Sequence, residues 1–163
     1  MQSKIDIMKH ITLIYFSRVL FILTFCLSFN SSIFSQNSEP KSDHDLVQAA
    51  VEDYVLALYN VEPERIARSV DTTLHKIGYY DYEGKSYNHV PMTYQQLYDL
   101  SAKWNKKGNN ANSESPKKIE IYEVNTKTAS AKLTAQWGID FMHLSKVNGQ
   151  WKIMNIMWQS DPK

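Results

Sequence analysis

DFMHLSKVNGQWKIMNIMW, residues 140–158, reads as two β-strands joined by a bend at Asn148-Gly149. Asn-Gly supplies the two positive φ values of a type I′ hairpin turn, whose twist matches that of the strands on either side. A two-residue loop sets Val147 opposite Gln150 and Lys146 opposite Trp151, and so fixes which side chains share a face. One face then carries Asp140, Met142, Leu144, Lys146, Trp151, Ile153, Asn155 and Met157. The other carries Ile139, Phe141, His143, Ser145, Lys152, Met154, Ile156 and Trp158. Both faces are substantially apolar, so each needs a cover: helices over the first, solvent or a partner subunit over the more mixed second.

Upstream, Ala129, Ala131, Leu133, Ala135 and Trp137 alternate with Ser130, Lys132, Thr134 and Gln136, the pattern of a half-buried strand. Ile119–Asn125 forms a further strand, and a tight turn at Trp137-Gly138 would put Ala131, Leu133 and Ala135 on the Asp140 face. Before these strands the period is helical. Val47, Val51, Tyr54 and Leu58 make one stripe of a helix running to about Asn60, with Glu52 and Asp53 off it. Pro63 suits the first position of a short second helix through Val70, where its missing N–H is no loss. Leu74–Tyr80 reads as a strand. Thr93 and Gln96 have the spacing of a capping box, opening a third helix whose face carries Leu97, Leu100 and Trp104 and whose stop is Gly108. The polar run GNNANSESPK, residues 108–117, is expected to be a mobile surface loop.

The 163 residues leave room for one domain. Lys4, Lys9 and Arg18 lead into the apolar run Val19–Leu27, and Ser35 is a small residue at a cleavage position, so residues 1–35 read as a signal peptide. Left uncleaved, Ile11–Phe29 would instead be a membrane anchor, since about 20 apolar residues span a bilayer. Either reading exports the domain, to the periplasm or outside the cell. Residues 36–43 then form a flexible leader and 44–160 the folded domain. Cys26 lies in the apolar run, so the remainder has no cysteine for disulfides, thiolate chemistry or metal binding. Removing residues 1–35 leaves 15 basic and 16 acidic side chains from the 18 and 17 of the whole chain. With no basic excess, a nucleic-acid partner is not expected.

The order helix, helix, strand, helix and then antiparallel strands resembles the nuclear transport factor 2-like superfamily, which includes ketosteroid isomerase and the SnoaL polyketide cyclases. Within it, the chain is most similar to the group named putative lumazine-binding. The resemblance lies in VQAAVEDYVLALYNVEPERI (47–66), LHKIGYY (74–80), PMTYQQL (91–97) and DFMHLSKVNGQWKIMNIMW (140–158). A His-Pro pair common in such domains is replaced here by residues 69–75, Ser-Val-Asp-Thr-Thr-Leu-His. The resemblance implies an α+β fold: a cone-shaped roll of a curved antiparallel sheet with three N-terminal helices enclosing a pocket. It does not fix an activity.

Asp140 is a carboxylate on an otherwise apolar face. Desolvation of such a group raises its pKa and suits it to proton abstraction, whereas hydrogen bonds from a tyrosine or an amide would make it structural. Tyr54, His75, Trp104, Asp140 and Asn155 are the expected pocket residues, and Phe141, His143, Ile156 and Trp158 the expected dimer face. His44, His75, His89 and His143 have no metal-ligand spacing, so no metal is expected. No nucleophile elbow, phosphate loop or dinucleotide fingerprint occurs, and no cofactor is expected. Three functions remain open: a non-enzymatic binder of a small apolar or aromatic ligand; a cofactor-free isomerase, cyclase or dehydratase with Asp140 as general base; and a ligand-free interaction domain.

Overall fold

The computed structural model describes residues 41–161. The signal peptide and most of the leader assigned from sequence lie outside those residues. The described chain runs α1 (Asp43–Tyr59), α2 (Glu64–Ser69), β1 (Val70–Tyr82), β2 (Lys85–Met92), α3 (Tyr94–Ser101), β3 (Lys117–Val124), β4 (Thr128–Ala135), β5 (Gly138–Val147) and β6 (Gln150–Gln159). The strands form one six-stranded sheet in the order β2-β1-β6-β5-β4-β3. Every neighbouring pair is antiparallel except β1 and β6, which run parallel, so the sheet is mixed. Three helices and this sheet make the expected α+β cone.

Local signals account for most boundaries. Ser42 and Asp45 cap α1 reciprocally, and the stripe Val47, Val51, Tyr54, Leu58 is buried throughout. Asp43, in the first turn of α1, accepts from Lys146 Nζ at 2.7 Å and Trp151 Nε1 at 3.0 Å, which ties the start of the helix to the β5–β6 hairpin. Thr93 and Gln96 form the capping box of α3. That helix ends at Ser101, earlier than the sequence suggests, so Trp104 stands on the turns that follow it.

Two segments differ from expectation. Strand β2 has no apolar alternation and almost all of it is exposed, because it is an edge strand; its signal is the Glu83-Gly84 turn, where φ is 50° and 75°. Residues 108–116 are not left free. The Asn105 carboxamide donates to Tyr59 O at 2.8 Å and Ala111 O at 2.9 Å, and accepts from the N–H groups of Asn110 and Ala111.

The closing hairpin begins in the expected register, with Val147 opposite Gln150 and Leu144 opposite Ile153, and both turn residues have positive φ. It then slips: His143 pairs with Asn155, leaving Met154 as the extra residue of a bulge. Past that point every β6 side chain changes face. Ile156 and Trp158 turn inward, toward the helices, while Asn155 and Met157 turn outward. The inner face of the sheet thus carries Ala131, Leu133, Ala135, Met142, Leu144, Trp151, Ile153 and Ile156, all in the core with the apolar side of α1.

Candidate functional site

Lys76, on the inner face of β1, is only 5 % exposed and Asp140, on β5, is fully buried. A charge in such a place needs a partner and hydrogen bonds. Lys76 Nζ donates to Asp140 Oδ1 at 3.1 Å and to the Tyr54 hydroxyl of α1 at 2.8 Å. Trp137, in the turn before β5, donates its Nε1 hydrogen to Asp140 Oδ2 at 2.6 Å. One ammonium, one carboxylate, one phenol and one indole therefore close a network across three elements and a turn. Burial pulls the Lys76 pKa below the ordinary lysine value, against the opposing pull of Asp140. Burial also pushes the Tyr54 phenol well up, and the Asp140 charge adds to the rise. Tyr54 therefore keeps its proton.

Above this network lies a cavity of about 80 Å³ lined by Tyr54, Leu58, Lys76, Met92, Leu97, Leu100, Trp104, Trp137 and Trp158. Four of these nine residues are aromatic and four are aliphatic. Tyr54 and Trp137 meet edge to face with ring centroids 6.0 Å apart, and so do Trp104 and Trp137 at 5.3 Å. Lys76 Nζ sits 5.3 Å from the Trp158 ring, within the range of a cation–π contact, and meets Tyr54 at its hydroxyl. Trp158 lies close across Gly78: a Cβ there would come within 2.4 Å of the indole nitrogen. Tyr80 stacks on Trp158 at 5.4 Å and Tyr87 on Tyr80 at 4.8 Å, so an aromatic shelf continues from the cavity along β1 and β2.

Of the pocket residues expected from sequence, Tyr54 and Trp104 line the cavity, and Asp140 sits behind Lys76 rather than on the cavity wall. His75 and Asn155 are on the opposite side of the sheet. There Asn155 Nδ2 donates to the His75 carbonyl at 3.0 Å and lies 3.1 Å from His75 Nδ1, while Asn155 Oδ1 lies 3.2 Å from His143 Nδ1. The bulge at Met154 removes Asn155 from the pocket and, by the same slip, takes Ile156 and Trp158 out of the expected dimer face. Phe141 and His143 do lie on that outer face, joined by Met157.

Sequence reasoning missed Lys76 and Gly78. The signal for the first was Asp140 itself, since a carboxylate on an apolar face calls for a cation nearby. The signal for Gly78 was a glycine inside a strand, which marks a close approach. Among the described residues no group of three or more His, Cys, Asp or Glu is placed to hold a metal ion, and no helix is long and apolar enough to cross a membrane.

Residues 42–159 match the profile of the family described as "Putative lumazine-binding". The chain belongs to this family. Solved structures similar to this lumazine-binding-family chain are nuclear transport factor 2-like proteins of unknown function. One, from Silicibacter pomeroyi, has a TM-score of 0.55 and 18 % identity over 72 % of this chain and 95 % of its own. Another, from Shewanella baltica, has a TM-score of 0.55 and 17 % identity over 76 % of this chain and 100 % of its own. A third, from Methylobacillus flagellatus, has a TM-score of 0.52 and 17 % identity over 76 % and 97 %. At these identities the likeness shows the fold alone. No curated protein matches this member of the family.

Proposed function

We propose that this is an exported, non-enzymatic binding domain for a small flat molecule that presents a carbonyl or similar acceptor to Lys76. The observation that carries the reading is a hydrogen-bonded ammonium at the wall of a cavity otherwise lined by aromatic and aliphatic side chains. Pockets of this kind are apolar with a few convergent polar groups that set orientation. The family's description points the same way, since lumazine is a flat bicyclic heterocycle bearing carbonyl oxygens. At about 80 Å³ the cavity is well under the roughly 300 Å³ of ordinary ligand pockets. A bicyclic ring would therefore place one edge at Lys76 and lie along the shelf of Trp158 and Tyr80. Export is supported by the sequence of residues 1–35 alone.

The reading of Asp140 as general base loses ground to this one. Both of its carboxylate oxygens are engaged, by Lys76 and by Trp137, and it orients the groups that do meet the cavity. Titrating the full-length protein with lumazine is expected to quench the emission of Trp104, Trp137 and Trp158 saturably. A flat response with lumazine and with other small heterocycles would favour the ligand-free interaction domain instead.

Self-association through the outer sheet face is proposed alongside. It is supported by Phe141 and Met157, paired across β5 and β6 and 47 % and 52 % exposed. Phe141→Glu is expected to yield a monomer by light scattering where the unchanged protein is a dimer. An unaltered mass in the variant would rule this face out.

A further inference from the structure

We propose that Lys76 condenses with a small aldehyde or ketone held in the aromatic cavity, forming a protonated imine that stays paired with Asp140. The inference rests on the ligand-binding reading above and adds a reversible covalent bond to it. Lys76 borders the cavity while two of its three N–H bonds point to Tyr54 and Asp140. Those two neighbours are the acid and base that imine formation requires.

The ammonium first passes a proton to Asp140 Oδ1, 3.1 Å away, which frees the nitrogen lone pair. The neutral amine attacks the carbonyl carbon: a C–N bond forms, and the C=O π electrons move to oxygen, which takes a proton from the Tyr54 hydroxyl as Asp140 returns its own to Tyr54. The nitrogen of this carbinolamine gives a second proton to Asp140. That proton goes to the hydroxyl, which leaves as water while the nitrogen lone pair closes the C=N bond. In sum, the ammonium and the carbonyl compound give the iminium and one water, with a single positive charge before and after. No oxidant or reductant enters.

The surroundings favour the product for the same reasons that they hold the lysine. The iminium occupies the place of the ammonium, beside the Asp140 carboxylate and the Tyr54 hydroxyl and against the Trp158 ring. Apolar walls disfavour the water that would reverse the step. Burial also lowers the Lys76 pKa, so a larger fraction of this amine is neutral near pH 7 than of a lysine in water. The size of the cavity restricts the partner to a carbonyl group carried on a few atoms, or at the edge of a ring lying on the shelf.

The test uses the full-length protein with propanal and cyanoborohydride at about pH 7, where ordinary lysines with pKa near 10.4 are almost wholly protonated. Peptide mapping by mass spectrometry is expected to find Lys76 propylated about tenfold faster than the exposed Lys103 and Lys107. Lys76 left unmodified while Lys103 and Lys107 react overturns the inference. Tryptophan emission titrated with propanal without the reductant separates the two levels. Saturation with no trapping at Lys76 leaves the binding reading standing and removes the imine; no change in emission and no trapping removes both.

Discussion

Lys76→Met alone is expected to destabilise the domain by about 3–5 kcal/mol, because it strands the Asp140 carboxylate in the core without its counter-charge, facing only the neutral Trp137 N–H and Tyr54 hydroxyl. Asp140→Leu alone should cost a similar amount by leaving the ammonium without its counter-charge. The double variant should be far more stable than the sum of the two losses. Two well-packed apolar side chains in place of a buried ion pair are often neutral or better, since the desolvation of both charges disappears with them. Full recovery is not expected: the Trp137 indole loses its acceptor, and an unsatisfied buried donor costs about 1–3 kcal/mol. Urea unfolding of the four proteins gives the coupling energy directly. Strict additivity would mean that the two charges do not act as a pair, and the site described above would lose its centre. The double variant also parts stability from function, because it restores the fold while removing the only donor that the proposal assigns to the ligand.

How far the sequence reaches is set by whether the alternatives differ in burial. The Asn148-Gly149 bend, the stripe on α1 and the capping box at Thr93 each have one good solution, and each is found where expected. The bulge at Met154 has no such signature. Ile153, Met154, Ile156 and Met157 are all apolar, so either register of the far half of β6 buries comparable side chains, and the pattern cannot tell them apart. What decides between them is tertiary: Trp158 needs the space over Gly78, and only the slipped register delivers it. The site suffers from the same ambiguity one strand away. Lys76 and Ile77 are adjacent, and a pattern reader puts the isoleucine inside and the lysine out. The structure buries both, with Lys76 toward Asp140 and Ile77 on the outer face beside Met157, its partner in β6. An ion pair that joins strands 64 residues apart leaves no local trace in either of them.

Gly78→Ala is expected to cost about 1–3 kcal/mol, the usual range for inserting a methyl group where there is no room. The added Cβ would meet three atoms of the Trp158 indole between 2.4 and 2.9 Å, and a ring system has no flexible end that can swing aside. The indole must leave its place as a whole. Its departure strips Lys76 of the Trp158 ring beside it and breaks the stack with Tyr80, so the shelf ends and the cavity opens toward β2. Two readouts follow from that one displacement. Tryptophan emission should move to longer wavelength as Trp158 becomes hydrated, and the affinity for flat ligands should fall while that for a carbonyl compound small enough to sit at Lys76 falls less. The glycine's φ does not lie in the left-handed region, so the backbone tolerates alanine and the effect isolates the contact with Trp158. Stability and emission both unchanged in this variant would show that the indole does not lie across β1, and with it the shelf on which a planar ligand is proposed to rest would be gone.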